Sequence, residues 1–239
     1  MDNGAGEAGR YINMPSPQKI GKRPIDLERL YALRFETSRN RKQRIWDVLC
    51  RHFFQKFIPP ESIVMDIAAG NCEFINAIEA KEKIAVDTNP DIHMFAIDTV
   101  NVINDSLFNL QKYVNTKCNI IFASNIFEHL NSSEEVISAI NICYQYLVPG
   151  GKLLILQPNI KYTKGAYWDF IDHKIPLTEK SLIEAGELCG FAIKKTIPRF
   201  LPYTTKSSMP QNPLFVFLYL KIPLAWYFLG KQSFLVMEK

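Results

Sequence analysis

At 239 residues, 47% of them hydrophobic and 22% charged, the chain is long enough for one large α/β domain with a well-buried core, and its net charge of +4 is mild. Five scattered cysteines, Cys50, Cys72, Cys118, Cys143 and Cys189, form no CxxC pair, and no secretory leader precedes them, so neither a disulfide framework nor a metal site is expected and the setting reads as cytoplasmic. The basic excess is confined to residues 1–60, in Arg39, Arg41, Lys42, Arg44 and Arg51; it suits a solvated helix face or contact with an anionic substrate or membrane surface, and the lack of interleaved aromatics argues against nucleic acid.

Residues 1–24 carry Gly, Pro, Ser and Asn without periodicity and read as a flexible arm, with a single domain following over 25–239. Within it, 25–60 forms a helical cover. Ile45, Leu49, Phe53 and Phe57 recur at every fourth position before Pro59-Pro60 stops the helix, which places an apolar stripe on the sheet. Tyr31 and Arg34 stand where they could lie over a bound cofactor.

Ser62–Ile67 is a first strand, followed by a helix over about 71–80. Ile84–Asp87 is the second, Val100–Ile103 the third and Asn119–Ala123 the fourth. Ser132 with Glu135 three residues on predicts a capping box opening a helix whose face is Val136, Ile140, Cys143, Tyr144 and Leu147, with Pro149-Gly150-Gly151 as its stop. Lys152–Gln157 is a near-continuous apolar run, as a central parallel strand requires. Thr178 starts another helix that stops at Gly190, and Ala192–Ile197 and Ser233–Glu238 are the last strands. Between these, over 199–232, lies an insertion whose apolar block Leu214–Leu229 is interrupted by Lys221 and Pro223 and is too short to span a membrane. Three uses fit it: a lid or core element, a homodimer surface, or a peripheral membrane contact.

Alternating strands and helices predict a doubly wound, Rossmann-like seven-stranded mixed sheet with ligands beyond the carboxyl ends of its strands. The residues at those ends are Asp66, Ala68, Gly70, Asp87, Asp105, Ser106 and Asn125. Small side chains at 68–70 let backbone approach a ligand, and an acid at 87 can accept hydrogen bonds from both hydroxyls of a ribose. The dinucleotide pattern G-x-G-x-x-G is absent.

In this order the motifs resemble those of class I S-adenosylmethionine-dependent methyltransferases, over about residues 60–197 and the terminal strand. Asp66-Ile-Ala-Ala-Gly70-Asn-Cys72 is similar to that family's D-x-G-x-G-x-G turn, with Ala68 and Cys72 where glycine is usual, and Asp87 to its ribose-binding acid. Asn104-Asp105-Ser106 resembles the segment beside the adenine, and Phe122 to Leu130 the loop beneath the methionine part. The resemblance implies S-adenosyl-L-methionine as cofactor, bound by the seven strand-end residues above.

The second half, in Tyr167 to Thr178, Pro198 to Ser207 and Tyr219 to Gln232, resembles bacterial methyltransferases found with glycan and surface-polysaccharide assembly enzymes. This implies O-methylation of a sugar on a nucleotide- or lipid-linked precursor. Other readings are a methyltransferase for another small metabolite, at N or O, and a non-catalytic interaction subunit. Methyl transfer to a hydroxyl needs a base near the sulfonium. His173, with Asp172 and Asp169 beside it, is the first candidate, and His129 the second. Arg199, Tyr203 and Lys206 would suit an anionic or polyhydroxyl acceptor.

Overall fold

Seven strands make one sheet in the computed structural model, which describes residues 39–203 and 212–239. The predicted arm 1–24, Tyr31, Arg34 and Lys206 lie outside the described residues. The strands are β1 (Ile63–Ile67), β2 (Glu82–Val86), β3 (Val100–Ile103), β4 (Cys118–Ser124), β5 (Leu147–Pro158), β6 (Ala192–Ile197) and β7 (Gln232–Glu238), in spatial order β3-β2-β1-β4-β5-β7-β6. The first five run parallel, and β7 enters antiparallel between β5 and β6. The order reverses between β1 and β4, which makes their carboxyl ends the place where the sheet opens for a ligand.

The sheet interior is apolar on both faces, and the two-residue period divides it cleanly. Val64, Phe122, Leu154, Leu156, Phe234 and Val236 point to one side. Met65, Ile67, Ile121, Ala123, Ile155 and Met237 point to the other.

On the first side lies helix α1 (Arg39–His52), whose Leu49 and Cys50 are buried along with Phe53 just beyond its end. Trp46 stacks on Phe54 at 5.9 Å and meets Phe74 and Phe122 edge-on, while Phe74 and Phe122 stack at 3.7 Å. Each buried phenylalanine contributes about 1.5–3 kcal/mol of transfer free energy, and each aromatic pair about 0.5–1.5 kcal/mol more. The predicted stripe therefore does dock on the sheet, directly beneath the turn that follows β1.

Short helices α2 (Glu73–Ala77) and α3 (Ile92–Phe95) follow β1 and β2. Helix α4 (Ser133–Tyr146) covers the second side, with Val136, Ile140 and Cys143 inward. Its Ser132 hydroxyl accepts from the Glu135 N–H at 3.3 Å, but the Glu135 carboxylate accepts from the N–H and side chain of Asn131, one residue earlier than a capping box requires. Pro149-Gly150-Gly151 lies inside β5. The β5 backbone is held there by β7, since the Gly150 N–H donates to Lys239 and the Lys239 N–H to Gly151.

After β5 come the single turn α5 (Ile160–Thr163) and helix α6 (Glu179–Leu188), the latter opened by a Thr178–Ser181 capping box. The insertion between the last strands is helical, as predicted: α7 (Pro213–Lys221) and α8 (Pro223–Leu229), each started by a proline. Tyr219 and Leu220 of α7 join the core and the Tyr219 hydroxyl donates to the Phe200 carbonyl, but Leu214, Ile222, Leu224, Tyr227 and Phe228 are exposed. No helix among the described residues is long and apolar enough to cross a membrane.

Candidate active site

The turn after β1 is built from three left-handed residues, Ala68 (φ 57°), Gly70 (φ 54°) and Cys72 (φ 60°). For alanine and cysteine this conformation costs about 1–2 kcal/mol each, and glycine takes it without that penalty. The turn is held by its hydrogen bonds: Ala69 N–H to Val86, Cys72 N–H to Ala69 at 2.8 Å, and Gly70 N–H to Asp87 Oδ2 at 2.7 Å. Cys72 is fully buried in the core cluster under α1, so its side chain turns away from the open face of the loop.

Asp66 is 2% exposed within β1, and its carboxyl accepts the Ile75 N–H that opens α2. Burial pushes its pKa well up, and the charges of Asp87 and Glu73 push it further. Asp66 is thus an internal brace between strand and helix. Asp87, just past β2, accepts from Gly70 N–H with one oxygen and from Asn89 N–H with the other at 2.8 Å. Burial raises its pKa, against the pull of the N–H groups of Asn89, Gly70 and Thr88.

Asn104 joins the ends of β2 and β3 by donating to the Asp87 and Asn89 carbonyls, both at 2.9 Å. Asp105 is occupied locally: it accepts from Ser106 N–H, the Asn109 amide and the Tyr113 hydroxyl, and the hydrogen bonds from Asn109 and Tyr113 lower its pKa. Ser106 caps the following turn through Phe108 N–H. Asn125, exposed at the end of β4, is also left-handed (φ 51°) and donates its N–H to Leu156. The strand-end residues predicted for the cofactor therefore stand along the carboxyl ends of β1 to β4.

A second group gathers at the ends of β4 and β5. The turn Phe127–His129 carries Glu128 and His129, and the Glu128 carbonyl accepts from both Lys174 and Ile175 N–H, which draws the loop with Asp172 and His173 against it. His129 Nδ1 faces the Asp172 carbonyl at 3.1 Å and Asp172 Oδ2 at 3.3 Å. The His173 ring lies 5.0 Å from that of His129, between Tyr167 at 4.8 Å and Phe170 stacked at 5.1 Å, with Tyr203 edge-on to Phe170.

Three of the four proposed catalytic residues are thus brought together. His173 is buried, whereas the His129 side chain is 30% exposed and braced by Asp172, so His129 is the more open to solvent of the two. Asp169 is exposed at the end of the turn Lys164–Asp169, and no described contact joins it to the group. Arg199 stands apart, at the end of α8: it donates to the Phe228 carbonyl at 2.8 Å and the Gly230 carbonyl at 3.0 Å, and packs on Tyr162 and Tyr227.

Two residues of this group escaped the sequence reading. Glu128 is 1% exposed, with its pKa raised by burial, and accepts at 2.7 Å from the amide of Gln157, itself fully buried. The only signal was Gln157 itself, a polar side chain ending an apolar strand.

No family model and no curated protein matches the chain. Among solved structures it is similar to a SAM-dependent methyltransferase from Archaeoglobus fulgidus, with 19% identity and a TM-score of 0.63 over 90% of this chain and 100% of that one. A methyltransferase from Haloferax volcanii, solved in complex with the Trm112 activator, gives 10% identity and a TM-score of 0.63 over 89% and 96%. The N-methyltransferase NodS from Bradyrhizobium japonicum, solved with S-adenosyl-L-homocysteine, gives 10% and 0.53 over 79% and 85%. The fold is that of class I methyltransferases.

Proposed function

We propose that the chain is an S-adenosylmethionine-dependent methyltransferase that O-methylates a sugar on a nucleotide- or lipid-linked precursor. The observation carrying the donor assignment is the coupling of the left-handed turn 68–72 to the Asp87 carboxylate at the sheet's switch point. A backbone stripped of large side chains faces an acid whose oxygens are aimed by two N–H groups. Gly70 and its neighbours would take the methionine part, Asp87 the ribose, and the segment Asn104 to Ser106 the adenine.

Transfer to a hydroxyl breaks the sulfonium S–CH3 bond, forms the O–CH3 bond and sends the hydroxyl proton to a base, while the enzyme mostly aligns donor and acceptor. His129, Asp172 and His173 supply that side of the site. Asp172 steadies the His129 ring, and Tyr203 packs edge-on to Phe170 beside His173. The sugar class rests on the resemblance of the Tyr167–Thr178 and 198–232 segments. A lipid-linked acceptor would give the exposed face of α7 and α8 its use, as a peripheral membrane contact.

Calorimetry with S-adenosylmethionine tests the donor, with micromolar binding expected and no heat at high concentration overturning the assignment. Mass spectrometry of host surface glycans with and without the gene tests the acceptor. One glycan short of a methyl group is expected, and an unchanged glycan profile beside intact donor binding would move the acceptor to another metabolite.

A further inference from the structure

Glu128, His129 and His173 each turn one potential ligand atom into a common space, and these atoms lie within 4.8 Å of one another. His129 Nδ1 faces two acceptors, the Asp172 carbonyl and carboxylate, so in the neutral ring the proton sits on Nδ1 and Nε2 presents a lone pair. That lone pair meets Glu128 Oε1 at 3.8 Å, beyond hydrogen-bond reach. Glu128 is 1% exposed, its Oε2 accepts from Gln157, and its Oε1 receives no hydrogen bond. Two electron-pair donors thus confront each other across a gap that suits a cation. Bonds of about 2.1 Å to a tetrahedral ion set its ligands ~3.4 Å apart, so the trio, whose atoms lie within 4.8 Å of one another, closes on an ion by drawing its widest pair together by up to about 1.4 Å.

The surroundings have the form of a built metal site, in which outer partners orient the ligands. Gln157 aims Glu128, Asp172 aims His129, and Tyr167 with Phe170 holds the His173 ring. The partly exposed His129 leaves a way in from solvent. We propose that Glu128, His129 and His173 bind one divalent transition-metal ion of the zinc type. Two imidazoles and one carboxylate favour such an ion over magnesium or calcium, and three protein ligands leave a position open. The expectation of no metal rested on cysteine spacing, which says nothing about a His–His–Glu set assembled from two loops. The site stands independently of the methyl-donor reading, but it replaces the base role of His129, because an Nε2 bonded to the ion has no lone pair left for the acceptor's proton.

Calorimetry of the chelator-treated full chain with Zn2+ tests this, with Mg2+ as the hard-ion comparison. One Zn2+ per chain is expected, weakened at least about 100-fold in Glu128→Gln and in His129→Gln, since losing even an outer partner costs 10–100-fold. Absence of Zn2+ binding, or binding that both variants leave unchanged, overturns the proposal. Should Glu128→Gln fail to fold, Co2+ added to the unaltered chain must give the visible absorption of a nitrogen- and oxygen-ligated site, and its absence is equally decisive against. S-adenosylmethionine titrated into the same samples keeps the two readings apart, because donor binding without Zn2+ binding sinks only the metal site.

Discussion

Replacing Asp87 by Asn isolates what this side chain does for the turn from what it does for a ligand. The carboxylate accepts from Gly70 N–H at 2.7 Å and from Asn89 N–H at 2.8 Å, one per oxygen. An amide has a single oxygen, so one of these N–H groups would face an NH2 and lose its partner. Loss of a hydrogen bond to a charged group costs about 1.5–3 kcal/mol, so the folded state should lose that much if the loop stays shut. If the ribose hydroxyls bind here, a similar term is lost again on the ligand side. At 1.4 kcal/mol per tenfold, S-adenosylmethionine should bind Asp87→Asn about 10- to 150-fold more weakly. Calorimetry gives the affinity and urea unfolding the stability. A variant destabilised as expected but binding the donor within threefold of the original would show that Asp87 holds the loop and not the ribose.

Gly230 sits where a Cβ would lie 2.5 Å from the Trp226 carbonyl oxygen and 2.6 Å from the Arg199 carbonyl carbon. Since both obstacles are backbone, Gly230→Ala should lower the unfolding free energy by about 2 kcal/mol or more, and an unshifted urea midpoint would refute this packing of α8 on the Arg199 segment. Asp66→Asn should stabilise the chain at neutral pH. The folded pKa of Asp66 lies well above its ordinary 3.8, chiefly through burial, so the native state holds the proton more tightly than the unfolded one. Its contribution is therefore lost as pH rises through the ordinary value toward the folded one. The melting-temperature gain of Asp66→Asn should be greatest above that window and shrink as pH falls to 4; a gain independent of pH would contradict it.

What the sequence carried most clearly was what is decided locally. Val100–Ile103 and Ala192–Ile197 are strands at the predicted residues, and Ser132 and Thr178 cap the helices they were read to open. The start of β5 was hidden because Pro149-Gly150-Gly151 looks like a stop. The strand persists through it because Lys239, far along the chain, supplies the pairing. Cys72 stands where glycine is usual in the turn it resembles, and the direction of its Cβ follows from a positive φ that composition does not reveal. The pairing of Glu128 and His129 with Asp172 and His173 was illegible for a similar reason: more than 40 residues part them, and the Glu128 carbonyl that joins the loops is backbone.

The place of β7 has a bearing on how the chain acquires its shape. It is the seventh strand in sequence but lies inside the sheet, bonded on one side to β5 and on the other to β6. Until β7 is in position, β5 has nothing to pair with on its outer flank and β6 has no attachment to the sheet at all. The barrier to folding is then dominated by contacts between distant segments, which slows the search. Meanwhile an apolar strand edge stands open to any passing chain. Slow refolding, and loss to aggregation that rises with protein concentration, are the behaviour to expect when this protein is diluted from denaturant.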